Sequence, residues 1–195
     1  MRARKLLLSS ALGLFALACS HAGEVKHMRP VASVDSTPVA NGAVVVFLRP
    51  SGWGSLTQSS VFEVTDPGES VLVGIVAAKM KVAYRTTPGH HVFMSIGENA
   101  DFMDAMLDPG RVYYVSLIAG PGYKARFILK PAHADQRGDV AAWLSDTSWV
   151  GTTGDSQRWA DENAASIEKK RARYYPQWIA GELGPREALV GPDGQ

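Results

Sequence analysis

The 195-residue sequence predicts a mainly β protein, an antiparallel β-sandwich of about seven strands with an amphipathic α-helix packed on it near the C-terminus. Short apolar or alternating segments follow one another between residues 42 and 131 at intervals of about 8–15 residues, and Pro-Gly turns separate them. Residues 155–180 have a helical period instead. A single cysteine excludes an intramolecular disulfide, so the fold must be stabilised by its hydrophobic core.

The N-terminal residues 1–18 have the composition of an export signal. Three basic residues precede an apolar run from Leu6 to Ala18, which is shorter than the roughly 20 apolar residues of a membrane-spanning helix. The small residue before Cys19 resembles the bacterial lipobox, in which the cysteine is acylated and becomes the new N-terminus. We therefore expect a lipoprotein signal peptide and a lipid on Cys19. An ordinary signal peptide cleaved near Ala18 is the alternative.

Composition divides the remaining chain into three parts. Residues 19–41 contain two prolines, small polar residues and no sustained period, which is typical of a flexible tether that follows the lipidated cysteine. Residues 42–131 are expected to form the sandwich. Residues 132–195 are expected to be a helical C-terminal extension.

The strands are predicted from hydrophobic periodicity. The first, residues 42–50, is apolar at successive positions, which indicates burial on both faces. Residues 79–86 alternate between apolar and charged side chains, as a half-exposed strand does. Residues 98–107 fit either a strand or a short helical turn. The other strands are expected at residues 60–64, 71–77, 90–96, 111–118 and 123–130.

The helix is predicted over residues 155–180, with Asp155 as its N-cap and Gly181 at its end. One apolar stripe on this helix comprises Ala160, Ala164, Ile167, Tyr174 and Trp178. We expect this stripe to cover one face of the sheet, which would explain why the first strand is apolar on both sides.

Three stretches carry a family resemblance: GAVVVFLRPSGWGS, TTPGHHVFMS and LDPGRVYYV. Together they resemble a bacterial lipoprotein domain family of unknown function, with Arg-Pro-Ser, Pro-Gly-x-His and Gly-x-x-Tyr-Tyr-Val strands. The second stretch is also similar to the turn of PEGA surface-layer repeats. The resemblance covers residues 42–130 and implies an exported β-sandwich with no established activity. The serine after Cys19, in the rule for lipoproteins of enteric bacteria, implies the outer membrane.

The sequence contains no motif of a known catalytic or cofactor site. A nucleophile elbow, a zinc-binding His-Glu-x-x-His helix, a phosphate-binding loop and a dinucleotide fingerprint are all missing from it. Removing residues 1–18 takes away three of the 20 basic and none of the 19 acidic side chains, which leaves a formal charge of −2. This balance argues against a nucleic-acid partner. We therefore expect neither enzymatic activity nor a cofactor.

No metal site is expected either. His90 and His91 are adjacent on a predicted strand, so their side chains point to opposite faces and cannot bind one metal together. The acidic residues Glu98, Asp101, Asp104 and Asp108 lack the spacing of a calcium loop. A solvated turn is the expected structure for them.

Aromatic and basic side chains provide the candidate contacts. Trp143, Trp149, Trp159 and Trp178 are concentrated in the last third of the chain, and packing of the extension onto the sandwich is their expected role. In the alternative, Trp159 and Trp178 are exposed and stack on sugars. Arg171 lies near the apolar stripe, so its guanidinium must reach the rim of the sheet or an acidic partner.

Trp53 lies in the glycine-rich segment SGWGS, where it could be an exposed contact residue or close one end of the core. We expect the protein to be a lipid-anchored, non-catalytic module of the cell envelope that binds another envelope protein or supports an assembly. A glycan-binding module that recognises peptidoglycan or lipopolysaccharide is the alternative. The expected location is the outer membrane, facing the periplasm.

Overall fold

The computed structural model describes residues 26–65, 68–120 and 126–195. Eleven strands and two α-helices are found in these ranges. The strands are β1 Met28–Pro30, β2 Ala43–Arg49, β3 Ser59–Thr65, β4 Glu69–Val76, β5 Met80–Thr86, β6 Gly89–Ile96, β7 Ala100–Leu107, β8 Arg111–Ala119, β9 Phe127–Pro131, β10 Ser148–Thr152 and β11 Ala188–Leu189. The helices are α1 Arg137–Ser145 and α2 Gly154–Ile179, and two short 3-10 turns lie at Ala134–Gln136 and Gly191–Asp193.

The strands form two sheets that pack face to face. The first sheet has the order β1-β10-β5-β2-β8-β9, and the second has the order β11-β7-β6-β3-β4. A core cluster with members from both sheets, among them Phe47 and Phe93, fills the space between them. The prediction of a mainly β sandwich with a C-terminal helix is therefore confirmed.

The sheets are mixed, whereas the sequence predicted antiparallel ones. β2 is parallel to β8, β10 is parallel to β5 and β11 is parallel to β7. Parallel neighbours require a crossover connection. Between β2 and β8 the chain forms β3, β4, β6 and β7 of the second sheet, and β5 of the first, before it returns as β8. The strand count also exceeds seven, because β1, β10 and β11 are short strands that hydrophobic periodicity does not reveal.

The predicted strands agree with the structure over most of the sandwich. Residues 98–107, which fitted either a strand or a helical turn, contain β7. The turns before β6 and β8 place Gly89 and Gly110 at positive φ, a region that favours glycine. The predicted strand 123–130 begins outside the described residues, and β9 starts at Phe127.

Different helices cover the two sheets. The outer side chains of β2 (Val44, Val46 and Leu48) pack against Trp143 and Leu144 of α1 and against Trp149 of β10. The expectation that the long helix explains the apolar outer face of the first strand is therefore wrong. α2 packs instead on the outer face of the second sheet, where its buried residues meet Phe62, Met94 and Phe102.

α2 is amphipathic, although its details differ from the prediction. Its N-cap is Thr153, whose hydroxyl accepts a hydrogen bond from the Ser156 amide, and Asp155 lies in the first turn. Ala160, Ile167 and Trp178 of the predicted stripe are buried, whereas Ala164 is exposed. Gly181 follows the helix in the left-handed conformation.

The segment predicted as a flexible tether contains part of the sheet. Met28–Pro30 forms β1 and pairs antiparallel with β10. The Met28 side chain is buried, and its sulfur accepts a hydrogen bond from the Ile75 amide and lies 3.4 Å from the Ser156 hydroxyl oxygen. Residues 28–30 are thus part of the folded body, which begins before residue 42.

Candidate functional site

The loop of residues 51–58, called the 51–58 loop below, is held by a buried charge at the end of β2. The Arg49 side chain is fully buried, and its guanidinium donates hydrogen bonds to the carbonyl oxygens of Trp53 at 2.8 Å, Gly54 at 2.7 Å and Thr57 at 2.5 Å. It also lies over the Phe127 ring at 4.8 Å. Burial lowers the pKa of the Arg49 guanidinium, and the three carbonyls offset the cost of burying its charge.

The 51–58 loop presents two large apolar side chains to solvent. Trp53 is 60% exposed and Leu56 is fully exposed. Trp53 therefore does not close the end of the core. Because Arg49 fixes the backbone on both sides of these residues, their positions are set before any partner binds, which lowers the entropic cost of a contact.

A cleft of 410 Å³ adjoins this loop. Leu56 and Thr57 line it from one side, Lys26 and His27 from the start of the described chain, and Trp159 and Lys170 from α2. Trp159 is half-buried here, with its ring centroid 6.0 Å from that of His27. Trp159, a candidate contact residue, thus borders the same cleft as Leu56.

Trp178, the other tryptophan proposed to stack on sugars, is buried. Only 3% of its surface is exposed, and its ring packs among Phe102, Tyr175 and the Arg186 guanidinium. An aromatic platform for a sugar needs an open face, and Trp178 lacks one. Trp178 therefore has the packing role that was expected for the tryptophans. Trp143 and Trp149, which cover β2, have this role as well.

The Arg171 guanidinium contacts both an acidic partner and the rim of the sheet, the two environments that the sequence predicted. Its guanidinium pairs with Glu168 on the same helix at 2.5 Å and lies against Gly68 in the β3–β4 turn. Glu168 also accepts a hydrogen bond from Ser70 at 2.8 Å. This chain of contacts attaches the middle of α2 to β4, which is a structural role for Arg171.

A groove of 670 Å³ beside Arg171 is lined by Glu63 and His91, which form a hydrogen-bonded titratable cluster with Tyr84. Glu63 on β3 accepts hydrogen bonds from Tyr84 on β5 and from the His91 ring on β6, both at 2.5 Å. The other ring nitrogen of His91 lies 2.8 Å from the Thr87 carbonyl. A carbonyl only accepts hydrogen bonds, so His91 faces acceptors on both sides and is best described as an imidazolium.

The pKa values of this cluster follow from its contacts. The hydrogen bond to Glu63 raises the pKa of His91 in spite of burial. Burial opposes ionisation of Glu63, but the hydrogen bonds from His91 and Tyr84 outweigh it and hold the pKa of the Glu63 carboxyl below its usual range. Burial and the Glu63 charge together raise the pKa of Tyr84.

The acidic residues of the 98–108 region do not form a solvated turn, because three of them lie on or beside β7. Asp101 accepts a hydrogen bond from the Leu129 amide at 2.7 Å, and Asp104 pairs with His90 and Arg186. His90 and His91 point to different partners, as adjacency on a strand predicts. Among the residues that the structure describes, no group of three or more His, Cys, Asp or Glu could hold a metal ion.

Two further features bear on the site. Cys19 and the signal peptide lie outside the described residues. Within the described ranges, no helix has the length and apolar character needed to cross a membrane.

The sequence did not reveal Arg49, Leu56 or the Glu63–His91 pair. The signal that the sequence offers for Arg49 is a charge directly after an apolar run, and this pattern fits the exposed end of a strand equally well. In comparisons with known proteins, no family model and no curated sequence matches the chain.

Proposed function

We propose that the chain is a lipid-anchored protein of the cell envelope that acts through a surface contact without catalysis. Cys19 would carry the lipid in the outer membrane, and the folded body would face the periplasm. The 51–58 loop would be the contact surface. The observation that carries this proposal is the fully buried Arg49 guanidinium, which holds three carbonyls of a loop whose apolar side chains face solvent.

The state of the titratable groups supports a non-catalytic role. Both ring nitrogens of His91 and both carboxyl oxygens of Glu63 already have partners within the fold. A general acid or base needs a proton site that substrate can reach. This cluster is better explained as a polar link between β3, β5 and β6 that fixes the register of the second sheet against the first.

Burial of Trp178 supports the contact module over the glycan-binding alternative. That alternative required exposed rings at Trp159 and Trp178, and the first of these is half-buried while the second is buried. Among the tryptophans, tyrosines and phenylalanines that the structure describes, the exposed ring is that of Trp53, which lies on the 51–58 loop and not in the C-terminal extension.

The anchor can be tested by mass spectrometry of the N-terminal peptide and by cell fractionation. We expect an acylated cysteine at position 19 and recovery of the protein with membranes. Cys19→Ala should abolish acylation and leave the chain uncleaved. A mature wild-type protein that is soluble and begins after Cys19 would contradict the proposal.

The contact surface can be tested with Trp53→Ala and a matched control. Because Trp53 is exposed, its replacement should change the free energy of unfolding by no more than about 0.5 kcal/mol. It should nevertheless weaken crosslinking of the protein to neighbouring envelope components by at least about tenfold, as expected for a central aromatic contact residue. Val39→Ala, also at an exposed apolar position, should leave both measurements unchanged.

A further inference from the structure

The connection between Cys19 and the folded body is short. β1 begins at Met28, and the His27 carbonyl accepts hydrogen bonds from Thr153 and Ser156 at the start of α2. The described chain therefore reaches back to Lys26. Seven residue steps separate Cys19 from Lys26, and a fully extended chain spans at most about 25 Å over that number. A tether extending to residue 42 would have allowed about 80 Å.

The point of attachment lies at the same end of the molecule as the 51–58 loop. Lys26 and His27 line one cleft together with Leu56 and Thr57. If Cys19 is acylated, the bilayer that holds it must lie within about 25 Å of this cleft. The 77–79 and 97–99 turns also lie at this end, because β4 and β6 end beside the start of β3, and β5 starts beside the end of β2. The end of β8 lies here as well, since β8 runs parallel to β2.

The side chains at this end suit a lipid surface. Trp53 and Leu56 are exposed on the 51–58 loop, and Gly54 lies against Ala119 at the end of β8. Next to Ala119, Ile118 and Ile128 are cross-strand partners and are both partly exposed. Tryptophan prefers the membrane–water interface, because one end of its ring system is apolar and the other carries an N–H donor.

We propose that the 51–58 loop inserts Trp53 and Leu56 into the interface of the bilayer that holds Cys19. The inference rests on the proposed function and names the partner of that same contact surface, namely lipid. A two-residue insertion is too weak to hold a free protein at a membrane. Tethering within about 25 Å makes the contact intramolecular, so a weak insertion is sufficient to orient the body.

The test uses the full-length acylated protein, purified from membranes and reconstituted in phosphatidylethanolamine–phosphatidylglycerol vesicles. The acyl chains of these lipids carry bromine, which quenches the fluorescence of a tryptophan that contacts it. Trp53 is one of five tryptophans, so we expect a loss of about a fifth of the emission. Trp53→Phe should remove this loss. Trp149→Phe, which changes a tryptophan packed on β2, should retain it. Leu56→Ser should reduce the loss by about half, because an inserted polar side chain lifts the loop.

The outcomes distinguish the inference from the proposed function. Equal quenching of the wild type and Trp53→Phe, with Cys19 shown to be acylated, would overturn the inference and leave the lipid anchor intact. Protection of Trp53 from oxidation in native envelopes but not in pure vesicles would assign the surface to a protein or glycan, which also overturns the inference. A protein without a lipid on Cys19 would overturn both.

Discussion

Arg49 is the residue on which the 51–58 loop depends. A buried guanidinium is costly unless its donors are used. Here the two terminal nitrogens donate to three carbonyls of one loop, while the buried Nε has no partner. The stability of β2 and the shape of the loop are therefore coupled through one side chain. A loop rich in glycine and serine would otherwise adopt many conformations.

Replacing Arg49 by methionine, which has a similar length and no donor, should free this loop. The carbonyls of Trp53, Gly54 and Thr57 would lose charge-assisted hydrogen bonds, so we expect the free energy of unfolding to fall by about 2–3 kcal/mol. Amide hydrogen exchange should accelerate across residues 53–58. Arg29→Met, at an exposed position of β1, should change stability by no more than about 0.5 kcal/mol. Unchanged exchange in the loop would show that Arg49 does not order it.

The pH dependence of stability provides a second test at the scale of one residue, because it depends on the Asp101 carboxyl. Burial raises the pKa of its carboxyl from 3.8 to about 6, against the opposing hydrogen bond from the Leu129 amide. Because the folded pKa is the higher one, stability is fully present below about pH 3.8 and is lost as the pH rises through about 6. Ionised Asp101 thus destabilises the fold at neutral pH.

Asp101→Asn keeps an oxygen acceptor for the Leu129 amide and removes the titration. We expect this variant to match the wild type in stability near pH 4 and to exceed it at pH 7 by up to about 3 kcal/mol. Urea denaturation from pH 4 to 7 measures the difference. Asp139→Asn, on the exposed side of α1, controls for the loss of one negative charge. A variant that is less stable than the wild type at pH 7 would contradict this account.

At the scale of elements, each helix covers the outer face of one sheet. α1 and β10 cover the outer face of β2, and α2 covers β3, β6 and β7. α2 has 26 residues but few buried ones, since Ser156, Ala160, Ile167 and Trp178 account for its fully buried positions. Its attachment therefore depends on a small number of contacts, supplemented by the hydrogen bonds of Glu168 with Ser70 and of Lys170 with the Gly97 carbonyl.

Ile167 and Ile179 test the docking of α2 because they are the same residue type on one helix in opposite environments. Ile167 is 4% exposed and Ile179 is 49% exposed. Ile167→Ala should lower the free energy of unfolding by about 2–4 kcal/mol, since it removes buried methyl groups and leaves a cavity. Ile179→Ala should change it by less than about 1 kcal/mol. Equal effects in chemical denaturation would mean that α2 is not docked on the second sheet as described.

At the scale of the whole molecule, the folded body begins earlier than the sequence predicted. β1 extends the first sheet at its edge beside β10, and Met28 links that edge to β4 and α2. The N-terminal segment therefore joins three parts of the molecule. The length of chain between Cys19 and the body is determined by where this segment becomes part of the sheet.

Chains that begin at different residues test this boundary. A chain of residues 26–195 should be more stable than one of residues 42–195 by at least about 2 kcal/mol, because the shorter chain lacks the buried Met28 side chain and exposes the edge of β10. A chain beginning at Ala32 should already show most of this loss, since it also lacks β1. Equal midpoints of urea denaturation for the three chains would support the boundary at residue 42 that the sequence predicted for the folded body.

The sequence alone determined the elements whose signal is local. Alternating or continuous apolar runs defined β2–β6 and β8, a 3.6-residue period defined α2, and Pro-Gly pairs defined the turns between strands. The region of β7 fitted a strand or a helical turn. A glycine-rich setting identified Trp53 as a candidate for exposure. These features depend on neighbouring residues in the chain, so a single sequence is sufficient to find them.

Tertiary structure decided the features that depend on distant partners. β1, β10 and β11 contain five residues or fewer, so they have no measurable period and exist because another strand supplies their hydrogen bonds. Arg49 is buried only because loop carbonyls accept its donors, and Glu63 meets His91 from 28 residues away. The energy of such contacts depends on which segments meet in space, and no local pattern of residues encodes that.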